Sequence, residues 1–496
     1  MTSRRNLLFT LGALPAGQLK SFPVKAAAVE THEIVIVGAG SAGLFTAVSA
    51  FEAGMRDILV IDKNPTPFLC SSSYSAGVVN ASGTKAQAAA GIKDTGNIAN
   101  FAAEIMASGH GTNDAGLVGL FAENAYKAVD WMVEHGVEFT LHPNSSFHIM
   151  RMHSNDRSRG TRYVEVLFRQ ARAYGIKIQM NAQATELITD PENTTVLGVR
   201  VRTAAGNKEV RARKAVVLAC GGFCGDTHLI DTLIPDFKGA LTFASPSSRG
   251  EGHLMATKIG ADVRLMSYAG VYAYGFAANK ETRRGLIFRG HVMNLYGSVS
   301  VDADARRFVN DDENATAVSQ VMHRRGMRRV FQVATREQLQ SFMQHDASQV
   351  IGWNRSRFEL ELKEQKRFIV SAETIRELAR KMGLDPVALD NTLKRYNGFV
   401  KANKDEDFGR RYMRGTFEKG PYFGFVCEPV VGISVGGLTV NKNLQVMNKK
   451  GTAIGNLYAI GEIVGGLHGT TYVGGNSLGA ALALGQWLGA SLAHKC

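Results

Sequence analysis

The chain has 496 residues, with 57 Lys and Arg against 44 Asp and Glu, a net charge of +13 and 45% apolar residues. That length sustains two domains with separate cores, and no uninterrupted apolar run reaches the roughly 18 residues that a membrane-spanning helix needs. The basic residues are scattered and no base-stacking motif accompanies them, which argues against nucleic-acid binding and for a soluble basic surface that attracts an acidic partner or an anionic substrate.

The chain opens with Ser3-Arg4-Arg5-Asn6-Leu7-Leu8-Phe9, an apolar run over residues 7–19, and the small residues Ala26-Ala27-Ala28. This pattern is expected of a twin-arginine signal peptide over residues 1–28, and hence of export to the periplasm in a folded state. The alternative is a basic, unstructured tail. Residues 32–63 then read as strand, helix, strand: 34–37, 43–52 and 58–61. Gly38, Gly40 and Gly43, with Ser41 between them, form a glycine turn at a helix start, where a backbone can approach a pyrophosphate. Asp62 follows roughly 20 residues later, where an acidic side chain accepts hydrogen bonds from a ribose; Lys63 is next to it. One such turn is a weak signal.

Residues 117–134 have helical spacing, and 200–203, 210–212 and 215–219 read as short strands. Residues 302–336 are dense in charge. Residues 372–400 read as two helices joined at Gly383-Leu384-Asp385-Pro386, with Asp385 as N-cap and Pro386 in the first turn. From about 425 the glycine turns return: Gly461-Glu462, Gly465-Gly466, then Gly474-Gly475-Asn476-Ser477-Leu478. Asn476 and Ser477 are expected to cap a helix running to about Ala493, whose positive end favours negative charge. This second glycine-rich segment could close over the same dinucleotide as the first, and that makes the signal strong. The organisation expected is α/β: a split Rossmann-like dinucleotide-binding domain (32–265 and 425–496) with an inserted α+β capping domain (266–424). Cys70, Cys220, Cys224, Cys427 and Cys496 form no C-x-x-C pair and no haem-attachment motif; an odd count suits packing residues better than a disulfide framework.

These segments together resemble the flavoproteins that include soluble fumarate reductases, urocanate reductases and 3-ketosteroid dehydrogenases. Ser75-Ala-Gly77-Val-Val-Asn80-Ala81 is similar to the family segment lining the flavin, and Ala219-Cys-Gly221-Gly222-Phe223 to its glycine turn. Arg395-Tyr396-Asn397 and Asp407-Phe408-Gly409-Arg410 resemble the helical part of its cap. The resemblance implies FAD, with Ala184 and Glu462 among its contacts. Relatives with covalent FAD carry a histidine before the Ala-Gly pair; here that stretch is Ser71-Ser72-Ser73-Tyr74, so the FAD is expected to be non-covalent.

The resemblance also implies chemistry: hydrogen added or removed across an activated carbon–carbon bond, with a hydride passing through flavin N5. Val301-Asp-Ala-Asp-Ala-Arg306-Arg307-Phe308-Val309-Asn310 is similar to the fumarate reductase motif whose arginine delivers the proton, and the match falls on Arg307. The alternative for Arg307 is an ion pair with Asp304 or Asp311. The rest of a fumarate-type site is missing. Ile433 stands where the family has its carboxylate-side histidine, Tyr472 where it has its clamping arginine, and Tyr272 where it has a further histidine. A buried dicarboxylate needs paired cations, which these residues do not supply. Tyr472 resembles the tyrosine with which ketosteroid dehydrogenases polarise a carbonyl; Tyr272, Tyr274 and Tyr296 are candidates for that subfamily's base, with core or rim packing as the alternative for each. His291 and His468 are further polar candidates, each more often structural than acid–base. The expectation is reduction of an enone or aryl-conjugated alkene, with electrons from a separate donor such as a small cytochrome c or a quinone-linked protein. Its rivals are the reverse, dehydrogenase reaction, a carboxylate reductase using cations such as Arg289 or Arg162, and a non-catalytic electron-transfer flavoprotein.

Overall fold

The computed structural model describes residues 29–494 except 92–96, 142–148, 153–158, 314, 346–348, 352 and 366–367. The expected signal peptide and Cys496 lie outside the described residues.

The first strand, β1 (Val29–Val37), carries Ile34, Val35 and Ile36 at zero exposure, as a strand covered on both faces must. Helix α1 (Ser41–Glu52) follows, then β2 (Ile58–Ile61), β3 (Lys177–Gln179) and β4 (Gly206–Leu218). β2 and β4 flank β1 in parallel, and β3 lies beyond β2. Two antiparallel strands, Gln183–Thr189 and Val196–Thr203, fold against β4. The stretches 210–212 and 215–219, expected as separate strands, are one continuous strand, because β4 pairs with β1 along most of its length.

A second sheet is built on two long strands, β5 (Ala269–Asn279) and β6 (Tyr422–Ser434). The first part of β6 pairs with Val330–Thr335 and Ile369–Ala372, and its last part with β5. β6 thus runs from deep inside the second sheet back towards the first, carrying Gly432, Ile433 and Ser434 with it. Helix Ile375–Met382 and α2 (Pro386–Ala402) cover this sheet, and Asp385 caps α2 by accepting from the amides of Val387 and Ala388 at 2.8 and 2.7 Å.

The chain then returns to the first sheet as β7 (Ala453–Ala459), parallel to β4, and ends in α3 (Asn476–Ala493). α3 lies against α1 at a close approach. A Cβ on Gly489 would sit 2.3 Å from Thr46 O, and the Ser49 hydroxyl donates to Gln486 O at 2.6 Å. The first sheet's register places the site. Val37 lies opposite both Ile61 and Leu218, and Leu218 lies opposite Ala459. Four strands therefore end level, and the residues after them, Gly38, Asp62, Ala219 and Ile460, emerge side by side at the carboxyl edge, where open parallel sheets bind ligands.

Candidate active site

A cavity of about 970 Å³ opens at that edge and continues under the second sheet. Its floor is the first glycine turn. Gly38 has φ +117°, and a Cβ there would lie 2.3 Å from Ala219 O. The N-cap of α1 is Gly40, which offers no side-chain cap to the first amides of the helix. The Ser41 hydroxyl is buried with no hydrogen-bond partner. The Asp62 carboxylate accepts from the amides of Ala39 and Asn64, each at 2.8 Å, and ties β2 to the glycine turn.

The C-terminal segment meets this floor from the other side. The expected capping by Asn476 and Ser477 is corrected: the N-cap of α3 is Gly475, at φ +97° and with no side-chain cap. Asn476 Oδ1 instead accepts from Asn80 Nδ2 at 2.7 Å, and Asn80 also donates to Gly474 O at 2.9 Å. This fixes the second glycine turn over the first. The uncapped N-terminus of α1 and an orphaned buried hydroxyl at one elongated cavity suit a dinucleotide, whose pyrophosphate the α1 amides would hold. The residues fit FAD.

Of the expected cofactor residues, Gly38, Gly40, Ser41, Asp62, Lys63 and Ala184 line the cavity, as do Ala219, Gly221, Glu462, Ser477 and Leu478. The others stand behind it. A Cβ on Gly43 would lie 2.0 Å from Gly38 O, and one on Gly222 would lie 2.3 Å from Glu462 Oε1. Gly77 accepts from the Tyr163 hydroxyl at 2.9 Å; Ala81 is core. Lys63 is held by Glu251. Glu462 accepts from Ser434 N at 3.0 Å and from its hydroxyl at 3.2 Å. Burial raises its pKa, against the pull of those hydrogen bonds.

Tyr272 and Tyr472 share one wall, edge to face, with ring centres 6.3 Å apart. Glycines make the room: a Cβ on Gly432 would lie 2.6 Å from the Tyr272 ring, and one on Gly270 would lie 3.0 Å from both Tyr472 and Ile433. The Gly475 amide donates to the Tyr472 hydroxyl at 3.3 Å. Burial pushes Tyr472 up to about 12 and Tyr272 well above its ordinary value, so both phenols stay protonated. Ile433, Phe243, Ile287 and Leu295 give this end of the cavity apolar walls.

His291 lines the cavity; His468 does not. It lies behind Tyr472, buried, with its Nδ1 unpartnered, and burial pushes its pKa down to about 4. Tyr274 is core, bonded to the Ser300 hydroxyl at 2.9 Å, and Tyr296 packs near Phe342. Arg289 is on the cavity wall, whereas Arg162 pairs with Glu165 outside it.

For Arg307 the structure shows the ion pair with Asp311 named as its alternative. Arg307 does not line the cavity; its side chain is 3% exposed and fully engaged. It grips Asp405 with two parallel hydrogen bonds of 3.0 and 2.8 Å and reaches Asp311 with a third of 3.0 Å. The rings of Tyr396 and Phe408 lie 5.2 Å from its guanidinium carbon. Burial alone would lower its pKa, but Asp405 and Asp311 outweigh burial and raise it. Held in this way, Arg307 is a buried ion-pair partner of Asp405 and Asp311. Asp405 lies 98 residues along the chain, so no local spacing could have disclosed it. The same distance hid Arg411 and Tyr412, which do line the cavity.

A glycine-lined cleft at the carboxyl edge of a parallel sheet, roofed by a second sheet that adds an apolar chamber, defines a capped dinucleotide flavoprotein. The family model described as FAD binding domain matches residues 33–478, and the chain belongs to that family. Its cofactor is FAD, and it is an FAD-dependent oxidoreductase. It is 27% identical over 453 residues to a probable fumarate reductase of Shewanella frigidimarina, covering 90% of this chain and 72% of the relative. It is 26% identical over 468 residues to a urocanate reductase of Eggerthella lenta, covering 93% and 74%. Its fold matches a 3-ketosteroid-Δ4-(5α)-dehydrogenase from Rhodococcus jostii RHA1 with a TM-score of 0.76, over 94% of this chain and 97% of that one; at 21% identity the likeness concerns the fold alone.

Proposed function

We propose that this protein reduces a carbon–carbon double bond conjugated to a carbonyl, in a substrate whose reacting end is uncharged. The observation that carries this reading is the wall formed by Tyr272, Tyr472 and Ile433, where a dicarboxylate would need cations. The cleft would hold FAD without a covalent link, and the flavin, once reduced by the separate electron donor, would supply the hydride. Tyr472 donates to the substrate carbonyl and is polarised by the Gly475 amide, so it stabilises the charge that develops on that oxygen. Tyr272, beside it, gives the proton to the carbon next to the carbonyl. Burial raises the pKa of both phenols, so each is a neutral hydrogen-bond donor at neutral pH; the direction of the reaction is left to the flavin potential and the electron donor. The apolar walls fit an aryl-conjugated alkene or cyclic enone.

A second reading, a carboxylate reductase, has its own support in Arg289 and Arg411 on the cavity wall and in the names of the relatives. One experiment separates the two. Reduced holoenzyme is mixed anaerobically with fumarate, urocanate, an arylacrylate and a neutral enone, and flavin reoxidation is followed. The neutral enone should reoxidise the flavin and fumarate should not. Tyr472→Phe should slow the enone reaction about 100-fold with FAD retained. Fast turnover of fumarate with none of the enone would overturn the proposal. The twin-arginine start supports export to the periplasm, and the lack of a haem-attachment motif supports a separate electron donor, such as a small cytochrome c or quinone-linked protein. No helix among the described residues is long and apolar enough to cross a membrane.

A further inference from the structure

Arg411 stands in the wall of the same cavity as Tyr272 and Tyr472 but comes from the second sheet's side. Its neighbour Arg410 is spent inside the protein, donating to Ser298 O at 2.9 Å and to Asn294 O. Arg411 is not. Its guanidinium carbon lies 5.8 Å from the Tyr412 ring centre, and among the described residues it joins no salt bridge. The backbone that carries it is fixed. The amides of Arg411 and Tyr412 donate to Asp312 Oδ2 at 2.6 and 3.0 Å. The turn before them is closed by Asp405, which accepts from the amides of Asp407 and Arg410, each at 3.1 Å, and from Arg307.

Two carboxylates share this part of the wall. Asp312 is committed to the two amides and lies 3.4 Å from Arg410 Nε, and Glu313 is exposed. The result is an exposed arginine on a turn fixed by Asp312 and Asp405, lining a chamber whose wall also holds Arg289 and, at the tyrosines, is apolar. An unpaired guanidinium so placed suits a carboxylate-like anion, which it can engage with two hydrogen bonds.

We propose that Arg411 is a specificity residue that binds an anionic substituent of the substrate on the cap side of the chamber. This rests on the reading of Tyr272 and Tyr472 given above. The substrate is then amphipathic: a conjugated carbonyl at the tyrosines, an apolar body, and a carboxylate at Arg411. Arg307 acts only as a positioning residue, through Asp405 and the turn that presents Arg411.

The test needs no turnover. Binding to oxidised holoenzyme is read from the perturbation of flavin absorbance. The probes are benzylideneacetone, its para-carboxylate and its para-carboxamide. The carboxylate should bind the wild-type protein about tenfold more tightly than the carboxamide, and the preference should shrink as salt is added. Arg411→Gln should bring the carboxylate to the carboxamide's affinity, and Arg411→Lys should keep part of the preference. Equal binding of the two probes, a preference that survives Arg411→Gln, or no binding of either would overturn the inference. Reoxidation of reduced flavin by neutral benzylideneacetone tests the underlying reading separately. A carboxylate preference without that reaction would sink the reading and leave the subsite standing.

Discussion

Replacing Arg307 with methionine keeps the bulk and removes the fork. The structure sets the cost. Asp405 and Asp311 both have side chains at zero exposure, and Arg307 supplies three of their hydrogen bonds. Breaking a buried pair from one side costs about 3–5 kcal/mol, because a charge stays behind without its partner. The pH dependence gives a second handle. Burial works to raise the Asp405 pKa, but the Arg307 hydrogen bonds overcome it and hold the carboxyl at about 2, against an ordinary 3.8. A depressed carboxylate adds stability above its unfolded pKa and loses it as pH falls through the folded one. At about 1.4 kcal/mol per unit the difference is roughly 2.5 kcal/mol, present at pH 7 and lost between about pH 4 and pH 2. In Arg307→Met burial is no longer opposed, so Asp405 takes up a proton at higher pH. Denaturant unfolding of the two holoproteins should show a gap of about 3–5 kcal/mol at pH 7 that narrows by pH 5. A gap below about 1 kcal/mol, or one identical at both pH values, would refute the reasoning. Arg307→Lys completes the argument. It keeps a charge, so the cap should fold, and flavin reoxidation should slow by less than about tenfold. A loss of several orders of magnitude at unchanged KM would return Arg307 to the role of proton donor.

The remaining predictions concern the cofactor cleft and acid stability. Ser41→Ala removes a buried hydroxyl that has no partner in the protein. Apoprotein stability should therefore hold within about 0.5 kcal/mol while FAD affinity falls about tenfold, measured by reconstitution; an equal loss in the apoprotein would assign Ser41 to the core instead. His468 is pushed from 6.5 to about 4 by burial. A depressed histidine adds stability above its unfolded pKa and loses it as pH falls towards the folded value, so between pH 7 and pH 5 this group should remove about 2 kcal/mol. His468→Phe should flatten that part of the stability–pH curve, and an unchanged curve would show that the imidazole is hydrated.

Much of the fold was legible because it is written in short-range patterns. The run Glu33–Val37 is apolar enough to be a doubly covered strand, Gly38, Gly40 and Gly43 announce the turn after it, and Asp385-Pro386 announces α2. The glycine turn that lines the cavity followed, since one turn and one helix end are a local device. On the cap side of the chamber Tyr272, Arg289 and His291 were legible, but Arg411 and Tyr412 were not. Arg411 and Tyr412 reach the cavity only because Asp312, about 100 residues earlier, accepts their amides. The capping of α3 was misread for the same reason. Asn476 has the right residue type for an N-cap, but its oxygen is claimed by Asn80, 396 residues away, and Gly475 takes the cap position.

Arg307 sits at the centre of a buried ion-pair cluster. The sequence around it forms the turn after Val299–Val301, and Asp311 accepts from Ser300 N at 2.8 Å to close it. Its partners are Asp405 and Asp311. A proton donor needs its charge destabilised, so that losing a proton becomes affordable. Here Asp405 and Asp311 stabilise that charge from two sides, while Tyr396 and Phe408 shield it from water. The direction of the pKa shift is therefore opposite to what proton delivery requires. The same carboxylate, Asp405, closes the turn that points Arg411 into the chamber. One buried cluster thus removes one arginine from the substrate and presents another. On the proposed reading the chemistry is left to the two phenols, Tyr272 and Tyr472.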